Sequence, residues 1–511
     1  MRWFVLIGLA ACGGGGSKDS IDASTVPDAG PVTQPPARCD VPPEGKLVDT
    51  SAPTTVVGTG AAGSCTAQAL QDAVTKGGIV TFSCGPDPIT ITLTAPIKIN
   101  NVAGADQQGD TVIDGGGKVT LSGGGTSRIL YLNACEQPFN DPRCDIHPHP
   151  HLTVQRLTLT GGHDDGADGG GAIFRVGGAL TVIDSVFLDN TCAVTGQDTA
   201  GGAIRLMQAT PALIVGSTFG EPGHGNHCSD GGAIGSLQAS PVTIINSVFD
   251  GNGATGTGGN PGNGGNGGAI YHDGVGLSLS LCGVQLKSST ANAYGGGIFY
   301  VDDAGQGTIS ITNTELDGAT VPVVSGQPSH GGAAYLQGAN VTVANTTITN
   351  ASAGFAAGVF VFPMNGRGTF DATNLTMTAI AGDALVASDG VTGTLLNATI
   401  AGNTRGLTGG GVGGMKLVNT LVAGQSGASC TGAPIDGGGN LQFPGTSCGS
   451  ITTGDPQLGA LADHGGTTGV HTMAPAAGSP ALGAGNGCPS TDARGIARPA
   501  SGCTSGAHQA D

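Results

Sequence analysis

One unit recurs along most of this chain, and it limits the fold more than any other feature. Its clearest copy is Asp230 to Asp250, DGGAIGSLQASPVTIINSVFD: a glycine-rich turn, a short strand, a turn, a second strand and a polar corner at Asn246. The copies align on a polar corner followed three positions on by an apolar residue. The corners are Arg156, Asp184, Gly216, Asn246, Cys282, Asn313, Asn345, Asn374, Asn397 and Asn419. Their partners are Leu159, Phe187, Phe219, Phe249, Gln285, Leu316, Ile348, Met377, Ile400 and Val422, with Gln285 the one polar exception. Successive corners lie 22 to 36 residues apart. A second marker, Gly-Gly-Ala-Ile or a close variant, runs in phase and begins at Gly170, Gly201, Gly231, Gly267, Gly295 and Gly331.

The segments between glycines are short, β-branched and alternating, as in Val242-Thr-Ile-Ile and Val341-Thr-Val-Ala, which is strand chemistry. The 96 glycines of the 511 residues supply tight turns at the corners. One coil of a parallel β-helix needs three short strands plus turns, which fits the shortest spacing, and longer units are coils with an enlarged loop. A single coil cannot bury its apolar face, but stacked coils share one core. The fold expected is therefore all-β, a parallel β-helix. Stacking also sets each corner asparagine above another, so that carboxamides can bond in a ladder along the axis. A disordered glycine-rich tract is disfavoured because the apolar partners recur in register.

Met1 to Ala11 is one arginine, an apolar run and small residues, too short to span a bilayer as a helix. Leu9-Ala10-Ala11-Cys12 resembles a bacterial lipobox. The resemblance implies removal of residues 1–11, lipidation of Cys12, and anchoring by several acyl chains. Gly13 rather than Asp after the cysteine points to the outer membrane and cell surface. Residues 12–48, rich in Gly, Ser, Asp and Pro, are expected as a flexible tether. Residues 49–96 read as an N-terminal cap: Ala69, Leu70, Ala73 and Val74 mark one face of a short helix that would cover the edge of the first coil. Coils are expected over 97–425 and a separate C-terminal region over 426–511.

Three stretches carry a wider resemblance. Thr111-Val-Ile-Asp-Gly-Gly-Gly-Lys-Val-Thr-Leu-Ser-Gly, HLTVQRLTLTGG from His151 and the GGAI coils resemble the bacterial right-handed parallel β-helix superfamily that includes pectate lyases. Asp455-Pro-Gln-Leu-Gly-Ala-Leu-Ala-Asp-His-Gly-Gly, Gly478-Ser-Pro-Ala-Leu and Asp492-Ala-Arg-Gly-Ile-Ala-Arg-Pro resemble the choice-of-anchor Q region of secreted bacterial β-helices. That family usually ends in Gly-Ala-Phe-Glu, whereas this chain has Gly506-Ala507-His508-Gln509. GGAI paired with Phe-x-x-Asn, as in Phe187 to Asn190 and Phe249 to Asn252, is similar to repeats of polymorphic outer-membrane proteins, several of them adhesins. Those proteins end in a membrane barrel; here lipid would replace it.

Export also fits the cysteines. Locally spaced pairs are Cys65–Cys84, Cys135–Cys144, Cys192–Cys228, Cys430–Cys448 and Cys488–Cys503. Neighbouring coils about 4.8 Å apart fall within the Cα window of a disulfide. Cys39 and Cys282 are left over, and Cys282, at a corner, is expected to be a buried thiol. A net charge of −18 with 18 Lys and Arg argues against nucleic acid, which needs basic clusters. The single tryptophan, Trp3, falls in the signal segment, which weakens a dedicated lectin or glycosidase, since sugar-binding clefts rely on aromatic platforms.

Four constellations can carry chemistry. Asp164, Asp165 and Asp168 could hold Ca²⁺ through hard oxygen ligands; the plainer reading is a solvated acidic loop, and no other cofactor is expected. Gly223-His224-Gly225 and His163-Asp164-Asp165 are similar to elements of polygalacturonases, but the spacing is too long and the Arg-Ile-Lys element is missing. Arg156 and Arg205 could serve as a lyase base, although a structural arginine is the simpler account. His147, His149 and His151 alternate with prolines and could face one metal, or lie in an exposed loop. The sequence thus points to a monomeric, lipid-anchored envelope β-helix acting as a binding, adhesion or structural scaffold. Its partners would be the membrane, through the lipid alone, and a surface polysaccharide or another cell-surface protein. The rival class is a carbohydrate-active enzyme, lyase or hydrolase, with a lateral groove. The anchor is directly testable: Cys12→Ala is expected to move the protein from the membrane fraction to the soluble one, and a variant that still sediments with membranes in high salt would sink the lipoprotein reading.

Overall fold

The computed structural model describes residues 38–99, 110–136, 143–499 and 501–510. Residues 1–37, with the signal segment and Cys12, lie outside the described residues. The body is a parallel β-helix. In the coil of the clearest repeat, Ile234–Leu237 lies on one face, Val242–Ile245 on the next, and Val248–Asp250 on a third after the corner; a two-residue strand, Gly253–Ala254, then leads back. Each strand pairs in parallel with its equivalents one coil away: Ile234 with Ile204 and Ile270, Val242 with Ala212 and Leu279, Phe249 with Phe219 and Leu286. We call the sheet containing Ile234–Leu237 the lateral sheet; it has eleven strands, from Ile97–Lys98 to Arg405–Thr408.

Burial follows the register. Inward rows such as Ile173, Ile204, Ile234, Ile270 and Ile298 are at most 1 % exposed. Phe187, Phe219 and Phe249 stack at 4.6 Å with nearly parallel rings, so identical side chains pack on identical side chains. Parallel pairing continues past the expected end of the coils at residue 425, to Leu441–Phe443. At the other end, Thr55–Val57 already pairs with Gly78–Phe82, within the stretch assigned to the cap. The helix forms at Ala67–Val74, N-capped by the Thr66 hydroxyl, and buries Leu70, Ala73 and Val74. Gln71 donates to the Lys98 carbonyl and accepts from the Lys98 amide, so a side chain pairs the open edge of the lateral sheet.

The corner residues adopt the left-handed conformation: φ is 48° at Asn246, 49° at Asn313 and 51° at Asn397. Asparagine tolerates that conformation better than most residues. The register corrects one corner. Cys282 pairs with Ile245 and Thr312, not with Asn246. The true corner is Gly283, at φ 70°, and the inward partner is Leu286, so the apparent polar exception at Gln285 disappears. Two further ladders appear. Asn190, Asn226 and Asn252, all fully buried, pass hydrogen bonds along the axis inside the core. Just after the corner, Ser185, Ser217 and Ser247 each accept a backbone N–H from the coil before.

The corners are not exposed. The expected tether ends earlier than its composition suggests, because residues 38–48 lie along the corner seam. The Asn246 side chain accepts from the Arg38 and Cys39 amides and donates to the Cys39 carbonyl. Gly45 packs on Val215 and Leu213, the Val48 backbone pairs with the Gln155 carboxamide, and the Thr50 hydroxyl donates to Asp114. Cys39 is disulfide-bonded to Cys282 with their Cα atoms 6.0 Å apart, so Cys282 is not a free thiol. The five local pairs also form, with Cα separations from 4.7 to 6.6 Å.

The C-terminal segment covers the rest of the seam. Asn374 donates to the Thr491 carbonyl, Asn397 to that of Thr504, and Asn419 to that of Asn486. The two terminal segments meet at Glu315, which accepts from Arg38 on one side and from the His471 backbone on the other. Burial raises the Glu315 carboxyl, but bonds from His471 and the Arg38 charge outweigh it and hold the group below its ordinary range. Such a depressed carboxylate adds stability above the unfolded carboxyl pKa, and that stability is lost as pH falls through the folded value.

The stacked core gives a test of register. Phe249→Ala is expected to cost about 3–5 kcal/mol in reversible unfolding, as a core truncation. A cost below about 1 kcal/mol would place Phe249 outside the core.

Candidate functional site on the lateral sheet

The outward side chains of the lateral sheet form columns along the axis. One column runs Tyr131, Phe174, Arg205, Gly235, Tyr271, Phe299, Tyr335, Phe360. A second, through isolated bridges, runs Asn266, Tyr294, His330, Phe355. A third holds Asp273, Val301, Gln337 and Phe362. Four of the five tyrosines thus lie on or beside this one face. Aromatics are only 4 % of the chain, so their concentration here comes from register rather than abundance.

The middle of the face is polar and covered. Tyr271, fully buried, shares its hydroxyl between Asp198 at 2.7 Å and Asp273 at 2.8 Å, and Asn260 donates to the same Asp273 oxygen. A phenol has one hydrogen, so the two carboxyls compete for it. Burial pushes the Asp273 carboxyl up to about 6. Beside it, Asp230 accepts twice from Asn266 through one oxygen and has its other oxygen buried and unpartnered; burial pushes it up to about 8. Arg205, 2 % exposed, has two guanidinium nitrogens without a hydrogen-bond partner, and burial lowers its pKa.

Two loops, 193–200 and 255–266, close over this cluster. They are laced together by the Ser229 hydroxyl, whose one hydrogen is shared between the carbonyls of Gly196 at 2.7 Å and Asn263 at 3.1 Å, and by the Gly196 amide donating to the Asn263 carbonyl. Gly235 is required beneath them: a Cβ there would collide with Ala200 of the first loop.

Further along the axis the face opens. Tyr271, Phe299 and Tyr335 stack with ring centroids 5.2 and 5.3 Å apart. Phe360 turns edge-on to Tyr335, His330 and Phe355, and Phe362 follows at 6.1 Å. Phe355 and Phe362 are 41 % and 40 % exposed. The Tyr335 hydroxyl donates to Gln337, so polar atoms rim the rings.

The residues singled out by sequence are partly brought together. Arg205 and the Asp168 loop lie at the same end of the lateral face, where Asp168 adds its charge to those acting on Arg205. The three acids take separate partners: Asp164 pairs with Arg128 at 2.9 Å, Asp165 with His163 at 2.7 Å, and Asp168 is exposed. Arg156 is elsewhere, at a corner, forked onto the buried Asp114 carboxylate. Burial raises that carboxyl, but the bonds from Arg156 and its neighbours hold it below its ordinary range. His224 pairs with Asp189 at 2.9 Å rather than with the His163 pair, and that hydrogen bond raises its pKa. His149 bonds Asp110 and His151 bonds Thr181. Among the described residues no three His, Cys, Asp or Glu side chains gather in a way that could hold a metal ion.

The aromatic columns escaped the sequence reading, although their signal is present. They are the residues flanking the phase marker: Tyr294-GGGI-Phe299, His330-GGAA-Tyr335 and Phe355-AAGV-Phe360.

No family model matches the chain, and no curated protein matches it. Among solved structures the chain is similar to the A-module of the mannuronan C-5 epimerase AlgE6 of Azotobacter vinelandii. That match has 11 % identity over 74 % of this chain and 95 % of that one, at a TM-score of 0.28.

The buried acids give a pH prediction. A carboxyl whose folded pKa is raised binds more protons in the folded state, so its contribution to stability falls as pH rises from about 4 towards 8. Asp230→Asn removes that loss. The variant is expected to be more stable than the parent at pH 8 by about 1–3 kcal/mol, with the gap closing at pH 4. Thermal unfolding at both pH values measures it, and an equal shift at both would show that Asp230 is not protonated in the fold.

Proposed function

We propose that this is a lipid-anchored binding scaffold of the bacterial cell envelope, carried on the outer membrane through Cys12, whose working surface is the open end of the lateral sheet. The observation that carries the reading is the run of rings ending in exposed Phe355 and Phe362, with Tyr294, His330 and Tyr335 half-buried beside them. Exposed apolar clusters rimmed by polar groups mark binding sites. Aromatic rings with hydroxyl and amide neighbours suit the C–H faces and hydroxyls of a sugar, and the ligand class proposed is a surface polysaccharide. The chain's strong negative charge favours a neutral one. The resemblances to choice-of-anchor Q proteins and to adhesin repeats rest on the residues quoted above and agree with a surface role.

The second reading, a polysaccharide lyase or glycoside hydrolase, is favoured by one observation: a tyrosine held between two carboxyls close to an arginine. Those groups are at most 7 % exposed for Arg205, Tyr271 and Asp273, so loops 193–200 and 255–266 would have to open before substrate reached them. A base must come within hydrogen-bond reach of the proton it takes, and burial therefore ranks binding above catalysis.

A glycan array run beside a polysaccharide-degradation screen on the full chain separates the two. Binding without product is expected. The double variant Phe355→Ala, Phe362→Ala should bind at least about tenfold more weakly, as loss of two aromatic contacts implies, with an unchanged unfolding midpoint. Product formation lost in Tyr271→Phe would instead establish the enzyme, and binding untouched by the double variant would move the site elsewhere.

A further inference from the structure

The C-terminal segment does more than cover the seam. Where it meets the coils it leaves an open cleft of about 320 Å³ against the face that follows the corner. The floor is two outward rows of that sheet. One holds Gln285 and Glu315, the other Lys287, Asp317 and Thr349; Leu461 and His471 of the C-terminal segment form the wall.

Three features define what this cleft can hold. First, its size lies at the lower end for small-molecule sites and suits one or two sugar rings. Second, its charges are mixed, with Arg38 and Lys287 set among Glu315, Asp317 and the neighbouring Asp250. Glu315 is neutralised by Arg38 and bonded to His471. Lys287 stands in register between Asp250 and Asp317. A strongly charged ligand of either sign would meet its own sign on the floor. Third, hydrogen-bonding capacity remains unused. Lys287 and Thr349 make no side-chain hydrogen bond to any described residue, and Asp317 uses one oxygen for Asn350, leaving the other for a ligand.

An ammonium and a carboxylate on neighbouring rungs, about 4.8 Å apart, offer a donor and an acceptor side by side. A vicinal diol matches that pair: one hydroxyl accepts from Lys287 while its neighbour donates to Asp317, and Leu461 meets the C–H side of the ring. We infer that this cleft is a second binding site, for a short neutral saccharide, distinct from the aromatic face of the lateral sheet. The inference does not rest on the lateral-sheet reading.

Saturation-transfer NMR on the full chain tests it, with neutral di- to tetrasaccharides built from glucose, mannose and N-acetylglucosamine as probes and an oligogalacturonate as the acidic control. Transfer to at least one neutral probe is expected. In the Phe355→Ala, Phe362→Ala background, which removes binding at the lateral sheet, it should disappear on adding Thr349→Phe, which fills the cleft, and weaken at least about tenfold on adding Lys287→Met, as loss of a charged hydrogen bond implies. It should persist in Phe355→Ala, Phe362→Ala. If Thr349→Phe fails to keep the parent's unfolding midpoint, Lys287→Met decides. Absence of transfer from every neutral probe, preference for the acidic control, or a signal in the Phe355→Ala, Phe362→Ala background that Lys287→Met leaves unweakened would overturn the inference. Transfer lost only in the phenylalanine double variant would assign all saccharide binding to the lateral sheet.

Discussion

Everything in this fold depends on how the corner is satisfied. At each coil the chain turns through a left-handed residue between two strands, and asparagine serves because it tolerates that conformation. The choice leaves a carboxamide at each asparagine corner, and a buried carboxamide without partners is costly. Three arrangements meet the need. Asn345 donates to Asn313 and Asn374 to Asn345, along the axis. Asn246 is claimed by residues 38 and 39. Asn374, Asn397 and Asn419 are claimed by the C-terminal segment. Residues 38–39 and the C-terminal segment are therefore part of the solenoid's hydrogen-bond network, and the disulfide from Cys39 to Cys282 fixes the first of them at the seam.

That constraint explains which parts were legible in sequence. Corner and inward partner recur in one register, so the core was readable: Phe249 sits on Phe219 as its position in the repeat requires. The failure at Cys282 came from the longest coil. There the loop before Ile270 is enlarged, and Ser278–Cys282 ends in register with Val242–Ile245, so the polar-looking Cys282 is the last strand residue and the corner is the glycine after it. In a strand one residue is the difference between inside and outside, and Gln285 took the place of Leu286. The strap was hidden for another reason. Residues 38–48 have linker composition, with no periodicity, because they pair by backbone and by single side chains with a surface made elsewhere. Nothing local encodes that.

The lateral face shows a similar limit. The phase marker was legible because glycines recur; its aromatic flanks give no such repeated signal, because they change identity from coil to coil. Only stacking converts one ring in about thirty residues into a continuous column. The acids behave in the opposite way. Asp164, Asp165 and Asp168 stand together in the chain yet diverge in space, one to Arg128, one to His163 and one to solvent. Asp198, Asp230 and Asp273 lie far apart in the chain and converge on Arg205 and Tyr271. In a solenoid, proximity in sequence is a weak guide to a site, while equivalence of position between coils is a strong one.

The converged cluster also shows why perturbed acidity alone does not identify chemistry here. Asp230 and Asp273 are shifted upward as strongly as many catalytic carboxyls. The cause in both is burial under two loops. Burial raises a carboxyl and removes it from substrate by the same act. For the shift to serve a reaction, the loops would have to open, and opening would admit water and relax the shift that made the groups unusual. The cluster can be reactive or perturbed in this arrangement, but not both at once without a ligand that replaces the loops as the excluding surface. The exposed rings face no such conflict: their contact area is available in the fold as it stands. That asymmetry, more than the list of residues, favours a surface that holds a polymer over one that cuts it.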